Sequence, residues 1–274
     1  IIYLVISAVF IGCTPILSID ASTQNVYHFS DTDKNISLLD ISETFGTYDG
    51  SFVLYDNNLD SWKIYDLEEA TKRIPPESTY KIYDALLGLE SGIITPEHSS
   101  MTWNGDAFPF PSWEADQDLN SAMQNSVNWY FQAIDSQLGI NRVQEFLNKI
   151  EYGNQTTSSN LDLYWSDFSL KISPLEQVTL LKKFNTNEFH LNFQNVFSVK
   201  NAIKIASTPN GNFYGKTGTG RVNGQDINGW FIGYVETSDN SYYFATNIQS
   251  DSNATGKKAF EITSDILKKL HIWN

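Results

Sequence analysis

A serine and a lysine stand at the first turn of an apolar segment, and their spacing constrains the fold of the chain around them. Pro75-Pro76 ends any preceding element, and residues 81–94 have a helical pattern. On a helix, Ser78 and Lys81 lie one turn apart on the same face. A serine hydroxyl needs a base to become a nucleophile, and a lysine can be that base where burial lowers its pKa. The pattern predicts a nucleophile–base pair, although an S-x-x-K motif alone also fits an ordinary polar helix start.

Composition excludes several classes of function. The 274 residues, 41% of them hydrophobic, suffice for one large domain or two small ones. The net charge of −14 argues against a nucleic-acid partner, because no basic patch is present to neutralise phosphates. The four histidines lack the spacing of metal ligands, so we expect no metal site. Cys13 is the single cysteine and cannot form an internal disulfide.

The N-terminal part of the chain predicts a membrane segment. Residues 1–20 are mostly apolar, and the first charge is that of Asp20, which gives a length that can span a bilayer. Because a starting Met and a positive flank are missing, we predict the last membrane crossing of a longer chain rather than a signal peptide. Cys13 in Ile11-Gly12-Cys13 leaves a lipid-attachment site as an alternative. Residues 21–45 read as a polar linker, and residues 46–274 as one domain.

The domain has strand patterns at both ends and helix patterns between them. Residues 50–66 predict a hairpin, and residues 121–139 and 141–150 predict helices. Ser173-Pro174-Leu175-Glu176 predicts a capped helix start. The C-terminal third contains strand patterns separated by turns and ends in a helix near residues 256–270. The predicted fold class is α+β, with an antiparallel sheet and a helical insert.

Two further motifs follow the first in the chain. Ser126 and Asn128 fall on the predicted helix 121–139, and Lys216-Thr217-Gly218 falls on a strand that continues into Thr219. Each alone has a plain alternative, a polar helix patch or a glycine turn. In this order they predict acyl transfer.

Acyl transfer assigns a role to each of these residues. Lys81 is the candidate base, and Ser126 can pass a proton to a leaving nitrogen. The amides of Ser78 and Thr219 can stabilise an oxyanion. Lys216, Thr217 and Thr219 offer a charge and hydroxyls for a substrate carboxylate, and Gly218 permits close approach of the strand.

From about residue 50 onward the chain resembles the serine β-lactamase and penicillin-binding protein fold, and within it the class D (oxacillinase-type) branch. The resemblance rests on Ser78-Thr79-Tyr80-Lys81, Tyr152-Gly153-Asn154, Trp165 and Lys216-Thr217-Gly218. It implies an acyl ester on Ser78 and an N6-carboxylysine at Lys81, formed with CO2 and hydrogen-bonded by Trp165. It also implies that Tyr152-Gly153-Asn154 shapes the far wall of the cleft, for which a plain tight turn is the alternative.

Two features resemble the β-lactam sensor-transducer receptors of Gram-positive bacteria more closely. They are the apolar segment before the domain and Asn128, at a position where class D hydrolases carry an apolar residue. The resemblance implies an extracellular, membrane-attached sensor domain that β-lactam antibiotics acylate and that deacylates slowly. It also implies an upstream transmembrane and zinc-protease part of the same protein as partner. The alternatives are a class D β-lactamase, a transpeptidase, and a non-covalent carbohydrate-binding or structural role.

Overall fold

The computed structural model describes residues 35–162 and 164–273. The predicted transmembrane segment, residues 1–20, lies outside the described residues. Within them, no helix combines the length and the apolar character needed to cross a membrane.

A seven-stranded sheet runs through the described part of the chain. Its strands are β1 (Ile36–Leu38), β2 (Asp49–Asp56), β3 (Ser61–Tyr65), β4 (Lys204–Thr208), β5 (Gly211–Val222), β6 (Gln225–Thr237) and β7 (Ser241–Gln249). Their order across the sheet is β1-β3-β2-β7-β6-β5-β4. All neighbours are antiparallel except β1 and β3. The predicted antiparallel sheet is therefore extended by one parallel edge strand.

The helices of the described residues form two groups, one that stands between β3 and β4 in the chain and one that stands outside that interval. They are α1 (Ser42–Phe45), α2 (Leu67–Thr71), α3 (Lys81–Glu90), α4 (Leu119–Gln124), α5 (Asn128–Leu138), α6 (Ile140–Ile150), α7 (Pro174–Asn185), α8 (Phe193–Ala202) and α9 (Gly256–Lys269). Helices α2 to α8 stand between β3 and β4 in the chain, which confirms the predicted helical insert. The capping box that opens α7 is also confirmed, because Ser173 accepts from the Glu176 amide while the Glu176 carboxylate accepts from the Ser173 amide.

The sheet is covered on both faces, so its central strands bury apolar side chains on both sides. Phe52 and Leu54 of β2 face α1 and α9, in a core that includes Ile262. Val53 and Tyr55 face the helical insert on the other side. Successive side chains of a strand point to opposite faces, and the strand β2 therefore contributes to two cores.

Two boundaries differ from the sequence prediction. β1 and α1 lie inside residues 21–45, predicted as a linker, because β1 pairs with β3 and Phe45 of α1 is buried. The predicted helix 121–139 is two helices, α4 and α5, separated by a turn at residues 125–127. Residue Ser126 has a left-handed φ of 53° there, which a continuous helix excludes.

Candidate active site

Ser78 lies in a 3-10 turn, Glu77–Tyr80, that leads directly into α3. Hydrogen bonds hold this turn in place: for example, the Glu77 amide donates to the Trp165 carbonyl at 3.1 Å, and the Thr79 hydroxyl donates to the Pro76 carbonyl at 2.6 Å. Ser78 itself is half-buried, with its neighbours in the turn packed into the core. The turn therefore fixes Ser78 at the mouth of a cleft, one helical turn before Lys81.

Lys81 is fully buried and lies between Ser78 and Asn128. Its Nζ donates to Ser78 Oγ at 2.9 Å and to Asn128 Oδ1 at 2.7 Å. The rings of Phe131 and Trp165 surround the amine, each centroid 5.6 Å from Nζ. The structure thus brings together four residues that were predicted from the sequence. Ser78 lies on the 3-10 turn, Lys81 on α3, Asn128 on α5 and Trp165 in the loop before α7.

Burial controls the charge of this lysine. It lowers the pKa of Lys81 from an ordinary 10.5 to about 7, although the charges of Asp84 and Glu77 act in the opposite direction. A substantial fraction of the amine is then neutral at neutral pH. Only a neutral amine can take the proton of a hydroxyl, so the environment suits a general base next to Ser78.

Ser126 lies in the turn between α4 and α5 rather than on a helix. Its hydroxyl accepts a hydrogen bond from Nζ of Lys216, which also donates to the Thr217 carbonyl at 3.0 Å. Lys216 is 5% exposed, and burial together with the nearby charge of Lys81 lowers its pKa. A strand lysine and a turn serine from distant parts of the chain therefore meet beside Ser78.

Strand β5 forms the opposite wall of the cleft. A Cβ added at Gly218 would lie 3.1 Å from the Pro76 carbonyl oxygen and 3.2 Å from the Ser78 amide nitrogen, so glycine permits the strand to pass this close. The Thr219 hydroxyl accepts from the Gly256 amide at 2.8 Å. Its hydrogen is not used in this bond and can be donated to a ligand.

The cleft has a volume of about 350 Å³. Six of the residues that line the cleft were predicted from the sequence as site residues: Ser78, Ser126, Asn128, Thr217, Gly218 and Thr219. The remaining lining residues were not predicted: Phe110, Ser112, Trp113, Asn125, Arg221 and Asp226. Trp113 Nε1 donates to the Asn125 carbonyl at 2.9 Å, which attaches the loop that carries Phe110 and Trp113 to the turn that carries Ser126. Trp113 also packs against the core, so this side chain both lines the cleft and contacts the core.

The Tyr152-Gly153-Asn154 segment lies behind the cleft, so the expectation that it forms the far wall is corrected. The Tyr152 ring is fully buried, with its centroid 5.2 Å from that of Tyr80. The Gln155 amide donates to the Tyr152 carbonyl at 2.8 Å, which closes the tight turn given as the alternative. At Gly153, φ is 50° and a Cβ would lie 2.0 Å from the Lys171 carbonyl oxygen, so only glycine fits.

Glu77 is a neighbour of the site that the sequence did not reveal. It is 6% exposed, and its carboxylate accepts from Asn228 Nδ2 at 3.2 Å. Burial raises its pKa to about 8. An acid beside two prolines reads as a loop residue in solvent, and no periodic pattern distinguishes a buried one.

Comparisons with known proteins agree with this geometry. Residues 50–268 match the penicillin binding protein transpeptidase domain. Regulatory protein BlaR1 of Bacillus licheniformis is 45% identical over 98% of this chain, and the match covers 45% of BlaR1. The chain thus spans less than half the length of that relative.

Solved structures give the same result. The C-terminal domain of the Bacillus licheniformis BlaR penicillin-receptor superposes with a TM-score of 0.85 at 46% identity, covering 88% of this chain and 98% of that domain. Class D β-lactamase BAT-2 superposes with a TM-score of 0.81 at 36% identity, covering 86% of this chain and 97% of that enzyme. The chain therefore belongs to the penicillin binding protein transpeptidase domain family, in the class D β-lactamase-like group that contains the BlaR penicillin-receptor domain.

Proposed function

We propose that this domain is an extracellular β-lactam sensor, acylated at Ser78 by the antibiotic and slow to release the acyl group. The names of its relatives support this, since BlaR1 is a regulatory protein and the solved domain is that of a penicillin-receptor. The proposal includes attachment to the cell membrane through residues 1–20. It also includes a signal that passes to an upstream transmembrane and zinc-protease part of the same protein.

The observation that carries the proposal is the position of Lys81 Nζ, 2.9 Å from Ser78 Oγ and 2.7 Å from Asn128 Oδ1. Acylation joins Ser78 Oγ to the carbonyl carbon of the β-lactam and breaks the ring C–N bond. Lys81 takes the hydroxyl proton, either as the neutral amine or as the carbamate considered below. Once the site is acylated and no carbamate remains, Asn128 holds the ammonium of Lys81, which makes Lys81 a poor base for the water that must hydrolyse the ester.

The remaining site residues complete this reaction in the proposal. Ser126 delivers a proton to the nitrogen that leaves the ring, and Lys216 orients its hydroxyl. The amides of Ser78 and Thr219 stabilise the charge that develops on the carbonyl oxygen. Lys216 and Thr217 bind the carboxylate of the antibiotic.

Modification of Lys81 by CO2 belongs to the same proposal. Addition of CO2 to the neutral amine would form a C–N bond, convert one C=O bond of CO2 into a carboxylate C–O and release the amine proton to solvent, which would give N6-carboxylysine. The residues fit, because the amine is buried with a pKa of about 7 and the Trp165 ring lies beside it. A carbamate there would supply a general base, and Trp165 would hold it. Asn128 favours the free ammonium instead.

A class D β-lactamase that hydrolyses antibiotics through the same acyl-serine is the second candidate. Two observations favour it: the Trp165 ring beside Lys81, and the 36% identity to BAT-2 over 86% of this chain. Both functions share acylation and differ in the lifetime of the ester.

A chromogenic cephalosporin separates the two functions. With purified domain we expect one burst of colour, equal to the protein concentration, and a lasting mass increase on Ser78. Ser78→Ala should abolish both without loss of thermal stability, while the exposed control Ser207→Ala should behave as the parent does. Sustained turnover would establish the hydrolase, and an adduct on the Ser78→Ala protein would refute both functions.

A further inference from the structure

Two buried carboxyl groups lie below Lys81, and the reaction described above does not use them. Asp84 belongs to α3 and Asp135 to α5, and both residues are 0% exposed. Burying an ionised carboxylate without a partner costs several kcal/mol or more, so such groups are paired or protonated. A pair of acids in one core therefore requires an explanation.

The geometry of the two helices stacks this pair directly beneath the active lysine. Helix α3 carries Lys81 and Asp84 one turn apart, and α5 carries Asn128, Phe131 and Asp135 at the spacing of one helix face. The helices pack against each other. Lys81 meets Asn128 at one level of this contact, and Asp84 meets Asp135 at the next level.

The pair must hold a proton. Among the described residues, the four carboxyl oxygens have no well-formed hydrogen bond to a donor outside the pair, and only the Tyr164 hydroxyl lies near enough to favour an ionised Asp135. Burial raises the pKa of both groups, that of Asp135 to about 8, and each carboxyl responds to the other. Two carboxylates that share one buried site do not both ionise at neutral pH.

We propose that Asp84 and Asp135 form an acid pair that sets the charge of Lys81, which makes Asp84 a positioning residue for the acylation of Ser78. A negative charge on Asp84 favours the ammonium of Lys81, one turn away. Asp135 limits that charge, because its carboxyl makes ionisation of Asp84 harder. The pair thereby holds Lys81 near the point where both amine and ammonium are populated. The inference rests on the proposed function.

Other titratable groups face this contact and stay unchanged in the test below. From α3, α5 and the elements around them these are Glu77 and Tyr80 of the 3-10 turn, Lys216 of β5, Tyr83 of α3, Tyr130 of α5, and Tyr152, Asp162 and Tyr164 after α6. Glu77 raises the pKa of Lys81, as Asp84 does, but from the 3-10 turn rather than from α3. Because these groups are the same in all variants, differences in the pKa of Lys81 between variants report the contribution of Asp84 and Asp135 alone.

The test compares Asp84→Asn, Asp135→Asn and the double variant, in the chain labelled with carbon-13 at the lysine Cε. Nuclear magnetic resonance titration gives the pKa of Lys81 without any antibiotic, with the resonance assigned from Lys81→Met. Asp84→Asn should lower this pKa by up to about one unit, because the part of the negative charge of the pair that Asp84 carries is removed. Asp135→Asn should raise it, because Asp84 then ionises more easily and accepts from the new amide.

The double variant should match Asp84→Asn, because Asp135 acts only through Asp84. The pH midpoint for labelling of Ser78 by a fluorescent penicillin should move with the pKa in each variant. At a fixed pH below the midpoint, a shift of the midpoint by one pH unit changes the rate of labelling of Ser78 about tenfold. A merely structural role would slow labelling at every pH without moving the midpoint.

Several outcomes would overturn the inference. Unchanged midpoints, or shifts of Asp84→Asn and Asp135→Asn in the same direction, contradict it while leaving the sensor function intact. A parent that forms no adduct on Ser78 refutes the proposed function instead, and the titration of Lys81 still decides the inference. Should Asp84→Asn fail to fold by circular dichroism, the sign of the shift in Asp135→Asn decides alone.

Discussion

At the scale of single residues, the fate of the acyl ester depends on Asn128. As the first residue of α5, it places its amide oxygen 2.7 Å from Lys81 Nζ. A hydrogen bond to a charged group is worth roughly 1.5–3 kcal/mol, which is tenfold or more in an equilibrium between ammonium and carbamate. An apolar side chain offers the ammonium nothing. Asn128 therefore favours the state of Lys81 that cannot activate water.

Replacing this amide tests the argument directly. Asn128→Val should increase the carbon-13 carbamate signal of the acylated protein and release penicilloate about tenfold faster. Intact-protein mass spectrometry after removal of free antibiotic measures the release. The matched control, Asn125→Val, changes a cleft residue that does not contact Lys81, and its ester should persist as in the parent. Equal lifetimes in all three proteins would show that slow deacylation has another cause.

At the scale of elements, the contact between β5 and the 3-10 turn aligns the two walls of the cleft. Glycines at two alternate positions of β5 allow it. A Cβ added at Gly220 would lie 2.3 Å from Glu77 Oε1 and 3.1 Å from Asn228 Cβ. The Glu77 side chain is buried and accepts from Asn228, so it has little room to move aside.

Gly220→Ala should therefore displace the Glu77 carboxyl. Overpacking of this kind typically lowers the free energy of unfolding by about 1–3 kcal/mol, measurable by urea denaturation. The control is Glu77→Ala, which removes the clashing atoms. In that background Gly220→Ala should be nearly neutral. An equal cost in both backgrounds would mean that the strand itself rejects a side chain at residue 220.

The elements also show how far sequence patterns reach. The hairpin turns, the capped start of α7 and the final helix depend on residues close in the chain, and each is confirmed. The break before α5 depends on Ser126, whose hydroxyl meets Lys216 from 90 residues away. Helical periodicity continues through that break, so no local signal predicts it. β1 was missed because three residues are too few to show alternation.

The buried acids of the site also could not be predicted from local sequence patterns. Asp84 interrupts the apolar run of α3, and on sequence alone a charged residue there belongs to the solvent side. Its burial follows from the packing of α5, which supplies another acid opposite. The nucleophile and base could be predicted because their spacing is local. Their electrostatic environment could not, since it is assembled from separate elements.

At the scale of the whole molecule, the charge is distributed unevenly. The chain has 32 acidic and 18 basic residues, and most of the acidic ones within residues 35–162 and 164–273 are exposed to solvent. Glu77, Asp84 and Asp135 are buried beside two buried lysines, Lys81 and Lys216. Burial raises the pKa of such acids and lowers that of such lysines. The pH dependence of stability is therefore set by the site more than by the surface.

The sign of this dependence follows from proton binding in the folded and unfolded states. The pKa values of Glu77 and Asp135 rise to about 8, from ordinary values of 4.5 and 3.8. Their contribution is fully present below the ordinary values and is lost as the pH rises toward 8. The pKa of Lys81 falls from 10.5 to about 7, so its contribution is lost as the pH falls from 10.5 to 7. The free energy of unfolding should accordingly pass through a minimum near pH 8.

Urea denaturation between pH 5 and 10 measures this curve, on which each group contributes at most about 1.4 kcal/mol per pH unit. The Glu77→Gln/Asp135→Asn double variant should flatten the acidic side of the minimum, because neither new side chain titrates. Lys81→Met should flatten the alkaline side and leave the acidic side in place. A parent whose stability is greatest at pH 8 would contradict the prediction, since the buried groups would then hold their ordinary charges. Surface charge alone would give a curve that neither variant changes, because all the exposed groups remain.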